Sequence, residues 1–299
     1  MVGYNHQNLV RAKRFPMDEI YTKYAPIEKH FEQYPVELFE NRTVYLPCDD
    51  WQWSEFANYF NNNFDRLKLN KLICSSYTEN GRGKWYVRTR SKTEHGQLHG
   101  NGDFRSAECM EFHDQSDWIV TNYPFSLTTE FVTPEYLGGK LFSIIASFSL
   151  MSRQAPCKLW AIEPKMNGER VGQDTFKQGG PVSMWVSNAT KIGRPAPPKH
   201  TEQWNIANKP ELIKQITRFG FEPDKYPYVT NENGIRAKMV FLSEAVPIDN
   251  TEPIWVPTTY ISRYYDSDEY RFIGTLNKAY DDDGKPLKMY KRLLIEPRK

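Results

Sequence analysis

The sequence predicts an α/β fold built on a doubly wound mixed sheet. Three observations carry that expectation. Short apolar runs of strand length recur between residues 43 and 145. Between them lie stretches of helical periodicity, the clearest being Phe56, Tyr59, Phe60 and Phe64 at i, i+3, i+4 and i+8. Polar and turn-forming residues follow the runs at their C-terminal ends, which is where ligands bind in open α/β sheets.

Taken in order, residues 1–16 read as a polar, basic, loosely held arm. A helix is expected over residues 27–34, stopping near Pro35. Thr43-Val44-Tyr45-Leu46 forms the first strand. It ends at Pro47-Cys48-Asp49-Asp50, and Ser54 caps the helix that carries the aromatic stripe. A second strand covers residues 71–75. Residues 79–103 break the alternation. They are rich in Gly, Arg, Lys and His around Trp85-Tyr86-Val87, and read as a loop or a β-hairpin insertion. A short helix begins at Ala107, a strand covers 117–121, a helix 127–132 and a strand 140–145. Beyond these the pattern loosens. Pro195-Ala196-Pro197-Pro198 reads as a rigid extended connector. Residues 212–219 read as a helix, and 237–242, 255–260, 270–273 and 293–295 as short strands added antiparallel to the sheet. No linker separates the halves, so a single domain over residues 1–299 is expected. In it, 1–150 holds the chemical motifs and 151–299 completes the sheet.

Bulk properties narrow the function. The chain has 39 Lys and Arg against 37 Asp and Glu, a net charge of +2. It has no global basic field, so contact with nucleic acid must come from local patches. Aromatics are plentiful, with 8 Trp and 18 Tyr, which leaves rings for base stacking after the core is filled. Cys48, Cys74, Cys109 and Cys157 form no CxxC pair. With no apolar leader at the start, they read as reduced thiols of a cytoplasmic protein. The apolar stretch 141–151 is too short and too Ser-interrupted to span a bilayer. His95 and His99 are four apart but lie in a polar Gly-rich segment, so no metal site is expected.

The most informative stretch is Asn122-Tyr123-Pro124-Phe125, directly after the strand Trp118-Ile119-Val120. An amide, a rigid turn and an aromatic ring can hold a flat amino-bearing base by its edge and its face. The lone pair of an exocyclic amino group is delocalised into the ring. Two acceptors, the Asn122 side-chain oxygen and the backbone carbonyl of residue 123, can draw that nitrogen toward tetrahedral geometry while Phe125 stacks on the ring. Both interactions strengthen as positive charge builds on nitrogen, so they favour the transition state. Alone, Asn-x-Pro-Phe also fits a strand-ending turn with a core Phe.

The surrounding motifs resemble the EcoRI-type adenine-specific DNA methyltransferase family nearly end to end. Asp18-Glu19-Ile20-Tyr21-Thr22 is similar to its N-terminal element. Val44 to Asp50, with Ser54, Phe56, Tyr59-Phe60 and Asn63-Phe64, resembles its first cofactor motif. Gly102-Asp103-Phe104-Arg105-Ser106 with Glu108-Cys109 matches a further stretch. Asn122-Tyr123-Pro124-Phe125-Ser126-Leu127 resembles its Asn-Pro-Pro-Phe-Ser-Leu motif. Val246-Pro247-Ile248-Asp249, Val256-Pro257, Phe272-Ile273-Gly274 and Tyr290 to Ile295 follow in the family's order. The resemblance implies a Rossmann-like S-adenosylmethionine-dependent methyltransferase fold with C-terminal elaborations. It also implies methyl transfer to the amino nitrogen of a flipped-out adenine in double-stranded DNA, and a restriction–modification setting. Tyr21, Thr22, Cys48, Asp49, Asp50 and Ser54 would meet the methionine end of the cofactor, and Asp103 and Phe104 its adenine.

Two basic segments are expected to meet phosphates: Arg82, Lys84, Arg88, Arg90 and Lys92 around Trp85 and Tyr86, and Lys191 with Arg194. The second half would contribute DNA recognition, with no membrane or metal partner and a monomer favoured. Tyr123 stands where the family motif has Pro. This leaves an alternative, a binding protein with impaired turnover, and a further one, an enzyme for another base or donor. On the first reading Tyr123→Pro should retain or raise activity.

Overall fold

A computed structural model describes residues 21–163, 165–177, 182–192, 227–243, 246–247, 250–263 and 270–298. The expected arm, the connector at 195–198, the helix at 212–219 and Arg194 lie outside the described residues. The chain divides into two compact units, residues 1–148 with 168–194, and 149–167 with 195–299.

The first unit holds an eight-stranded sheet in the order β4-β3-β2-β1-β5-β6-β8-β7. Its strands are β1 Thr43–Leu46, β2 Lys71–Ser76, β3 Lys84–Thr89, β4 Thr93–Gln97, β5 Trp118–Thr121, β6 Leu141–Ser147, β7 Asn167–Arg170 and β8 Ser183–Ser187. Strand β1 pairs parallel with β2 on one side and β5 on the other, and β5 pairs parallel with β6. The chain therefore winds outward from β1 to β2, then crosses back to β5. The winding reverses between β1 and β5, a switch point at whose C-terminal strand ends ligands bind in open α/β sheets. The segment 79–103 resolves into a hairpin, β3 and β4, which extends one edge antiparallel.

The parallel strands form because they are continuous apolar runs buried on both faces. All four residues of β1 and of β5 are buried. Helix α1 (Tyr24–Phe31) and helix α2 (Glu55–Asn62) close one face. Helix α1 starts a turn earlier than expected, with Pro26 inside its first turn. There the missing N–H costs nothing, because the first amides of a helix have no intrahelical acceptor. Phe31, Tyr34, Phe39, Phe60 and Trp118 pack in this core, with Phe39 stacked on Trp118 at 4.8 Å. The expected helix at 127–132 is broken into a 3-10 turn, Phe125–Leu127, and two single turns, Thr128–Phe131 and Pro134–Leu137.

The expectation that the late strands extend this sheet is corrected. Only β7 and β8, from residues 167–187, complete it, β8 pairing antiparallel with β6. Strands from Tyr228 onward form a separate seven-stranded sheet around Val229, Met239, Trp255, Leu276 and Leu294. Its inward faces bury against their own core, and Trp255 donates its indole N–H to the Val229 carbonyl at 3.0 Å. Among the described residues no helix is long and apolar enough to cross a membrane.

Candidate active site at the switch point

The turn after β1 is held from below by β2. The Tyr45 hydroxyl lies 2.7 Å from Ser75 Oγ, which donates to the Pro47 carbonyl at 3.2 Å, and the Asp49 amide donates to the Ser75 carbonyl at 2.9 Å. Ser54 caps α2, accepting from the amides of Phe56 and Ala57, while its hydroxyl donates to Asp49 Oδ1 at 2.6 Å. The other Asp49 oxygen accepts from Thr121 Oγ1 at 2.8 Å. Thr121 ends β5, so this bond joins the two strand ends that flank the switch point. Burial pushes the Asp49 carboxyl up to about 6, against the opposing pull of the Ser54 and Thr121 hydroxyls. Burial also raises the Cys48 thiol, helped by the neighbouring Asp49 charge. Asp50 accepts from the Gln52 amide at 3.0 Å and from Lys84 Nζ at 2.7 Å.

Asn122 follows Thr121 immediately. Its Nδ2 donates to Thr22 Oγ1 at 3.4 Å across a separation of 100 residues. Thr22 is buried and bridges antiparallel to Phe176, which fixes the N-terminal segment beside the motif. Neighbouring Tyr21 meets Trp53 edge to face at 4.8 Å, both rings exposed. Tyr21, Thr22, Cys48, Asp49, Asp50, Ser54 and Asn122 are thus tied into one edge of the sheet. Pro124 has φ −59°, and Phe125 is half-buried against the core. Tyr123 is 1% exposed and turns its ring into the core, where it stacks on Phe131 at 4.5 Å.

Asp103 follows Gly102, whose φ is +82° and whose Cα faces Gly83 so closely that a Cβ on either would collide with backbone. Arg105 donates to both Asp103 oxygens, at 2.9 and 2.6 Å, and so fixes the direction of the carboxylate. Phe104 is buried between Phe131 and Tyr136. Glu108 accepts from the His99 and Gly100 amides, both at 2.8 Å, and anchors the same loop.

The basic residues separate. Lys84 sits at the end of β3 that pairs with Ser76, at the C-terminal end of β2, with Arg82 exposed just before it. Arg88 and Arg90 lie at the other end, roughly 17 Å along the strand. Arg88 donates to the Asn61 carbonyl at 2.8 Å and lies over the Phe64 ring. Arg90 donates to the carbonyls of Leu69 and Lys68 and to Asn41. Lys92 pairs with Glu94 at 2.8 Å. Lys191 is buried with Glu169, Gln33 and His30 around it. The expectation that Lys191 meets phosphate is therefore corrected: its ammonium points inward to a carboxylate. Sequence reasoning missed Thr121 and Ser75 and the pairing of Lys84 with Asp50. Thr121 had one visible signal, a hydroxyl at the last strand position before Asn122. Among the described residues no three His, Cys, Asp or Glu side chains converge as a metal site requires.

A reversing parallel sheet with a buried acidic turn after its first strand and an Asn-Tyr-Pro-Phe turn after the neighbouring one has the architecture of an α/β methyltransferase. The chain belongs to the family of adenine-specific methyltransferases named for EcoRI, whose model matches residues 8–96 and 86–296. The Type II methyltransferase M.EcoRI of Escherichia coli is 29% identical over 288 residues, covering 86% of this chain and 85% of the relative. The Type II methyltransferase M.MpnI of Mycoplasma pneumoniae is 27% identical over 281 residues, covering 90% and 86%. M.MgeORF184P of Mycoplasma genitalium is 36% identical over 135 residues, 45% of this chain and 42% of its own. No solved structure matches the chain. The protein is an adenine-specific methyltransferase.

Proposed function

We propose that this enzyme methylates the exocyclic amino nitrogen of an adenine flipped out of double-stranded DNA, with S-adenosylmethionine as donor. The observation that carries the reading is the Thr121–Asp49 hydrogen bond of 2.8 Å, which ties the acidic turn to the strand end that presents Asn122. The donor set suits a cationic ligand. Asp49 is a buried carboxylate that, among the described residues, is held by hydroxyls and by no cation, and burial raises it to about 6. The sulfonium donor supplies an electrophilic methyl group, so the nucleophile needs no metal. Asp49 and Asp50 would hold its ammonium, Ser54, Cys48, Tyr21 and Thr22 would border its methionine part, and Asp103 and Phe104 its adenine. The Asn122 oxygen and the carbonyl of Tyr123 would accept from the two amino hydrogens of the target, and Phe125 would stack on it. Acceptors preset for charge that develops on nitrogen lower the barrier without reorganising.

The DNA would approach the C-terminal strand ends, where exposed Arg82 offers charge beside the Lys84–Asp50 pair, and a duplex extending along the hairpin would also meet Lys92. The second unit would read sequence, so that both units, residues 1–299, serve one methyltransferase. We place it in the cytoplasm with its DNA, as a monomer, in a type II restriction–modification role like that named for its relatives. The impaired alternative rested on Tyr123, whose ring is directed into the core against Phe131. The test is methyl transfer from tritiated S-adenosylmethionine to unmodified DNA, followed by digestion to nucleosides. Label in N6-methyl-2′-deoxyadenosine supports the reading; label only in a methylated deoxycytidine, or none, contradicts it.

A further inference from the structure

We infer that the Tyr123 side chain is a positioning residue, holding the catalytic turn in the way that a proline ring holds it in the family motif. The inference rests on the proposed role of the Tyr123 carbonyl. That oxygen lies in the peptide joining residues 123 and 124. Pro124 restrains the plane from one side through its fixed φ of −59°. A proline at 123 would in addition fix φ of residue 123; a tyrosine there is restricted only by the proline that follows it. The Tyr123 side chain supplies a substitute restraint. Its ring stacks on Phe131 at 4.5 Å with 3° between the planes and meets Phe125 edge-on at 6.0 Å. Its hydroxyl lies 3.2 Å from Thr128 Oγ1, and Thr128 Oγ1 donates to the Phe125 carbonyl at 2.6 Å.

A threonine hydroxyl carries one proton. With that proton on the Phe125 carbonyl, Thr128 accepts from the Tyr123 phenol. The result is a closed loop. It runs from the Tyr123 backbone through the ring and phenol to Thr128, on to the Phe125 carbonyl, and back along the main chain through Pro124. The peptide whose oxygen faces the target nitrogen sits inside that loop. Tyr123 and Thr128 are each 1% exposed and Phe131 is fully buried, so these contacts lie in the core. The packing reverses the expectation for Tyr123→Pro. A pyrrolidine ring leaves a void against Phe131 and removes the donor to Thr128, and the neighbouring core is shaped for a tyrosine.

The test compares Tyr123→Phe, Tyr123→Pro, Thr128→Val and Thr128→Ser in the full chain. The readouts are kcat on unmodified genomic DNA, KM and calorimetric Kd for S-adenosylmethionine, and Tm. Tyr123→Phe and Thr128→Val each cut one link of the loop. Each should lower kcat about five- to tenfold, the rate equivalent of one hydrogen bond, with the donor Kd within about twofold of wild type. Thr128→Ser should recover most of the loss seen in Thr128→Val. Tyr123→Pro should lower kcat more than either and lower Tm. If Tyr123→Pro does not fold, the phenylalanine and valine variants decide. Unchanged kcat in both of them, or a Tyr123→Pro enzyme as fast as wild type, overturns the inference. A wild-type protein that transfers no methyl group overturns the proposed function, and the inference with it. Transfer by the wild type with no effect of these variants overturns the inference alone.

Discussion

The two ends of the first sheet use their polar side chains differently. At the C-terminal ends of β1 and β5, Asp49, Ser54, Thr121, Asn122 and Thr22 are linked by hydrogen bonds across three chain segments. The one full charge buried among them, Asp49, is held by hydroxyls rather than by a cation. At the opposite end, Arg88 and Arg90 direct their guanidinium donors to the protein's own carbonyls. The first arrangement leaves a carboxylate unneutralised and so favours a positively charged ligand. The second stabilises the hairpin, and its cations lie far from the strand ends that carry Asp49 and Asn122. A basic run in sequence therefore says little about its partner until the strand carrying it is oriented.

Breaking the first end should have the largest effect. Asn122→Ala should lower kcat on the order of 10²–10³-fold, the usual cost of removing one preorganised group at a developing charge, and leave the donor Kd nearly unchanged. Single-turnover transfer with calorimetry separates the two quantities. Asp49→Asn should weaken donor binding at pH 8 on the order of 10- to 100-fold, since a hydrogen bond to a charged group is lost. The pH dependence has a definite sign. The folded value of Asp49, about 6, lies above the ordinary 3.8. The folded protein thus holds a proton that the unfolded chain releases between these values. Its contribution to stability is complete below about pH 4 and is lost as pH rises through 6. A cationic donor needs the ionised form, so donor affinity should rise with pH through about 6 and level off above it. Asp49→Asn should flatten that profile.

Gly102→Ala sharpens the comparison from the backbone side. A Cβ there would lie 2.1 Å from the Ser76 carbonyl oxygen at φ +82°. The variant should lose at least about 1 kcal/mol, read as a fall in Tm. The smallest effects separate the basic residues. Arg82→Ala should lower the salt dependence of DNA binding by about one phosphate contact. Arg90→Ala should leave that slope unchanged and lower Tm instead.

Much of the site was legible because the strands that carry it are continuous apolar runs with polar ends. Strands β1, β2, β5 and β6, the Ser54 cap and the Asn122 turn all fall where residue pattern alone puts them. What pattern could not carry was pairing. Strand β8 reads Ser-Met-Trp-Val-Ser and β7 Asn-Gly-Glu-Arg, with no strong alternation, and both return to the first sheet from beyond a helix. The late strands have ordinary strand composition, and nothing local says that they form a sheet of their own. Lys84 and Lys191 are indistinguishable from solvent-exposed lysines until Asp50 and Glu169 are brought beside them by residues far away in the chain. Tyr123 read as a lost proline because its partners, Phe131 and Thr128, lie on turns that the sequence presents as one helix.

The central claim is that the acidic turn and the catalytic turn act as one site through Thr121. Thr121→Val tests it directly, because residue 121 adjoins Asn122 on β5 whereas its hydroxyl bonds to Asp49. Donor affinity should be measured by calorimetry from pH 5 to 9. Affinity near pH 7 should fall on the order of tenfold, the midpoint of the pH profile should move upward, and much of the loss should be recovered at high pH. A donor affinity and pH profile both identical to wild type would contradict that claim.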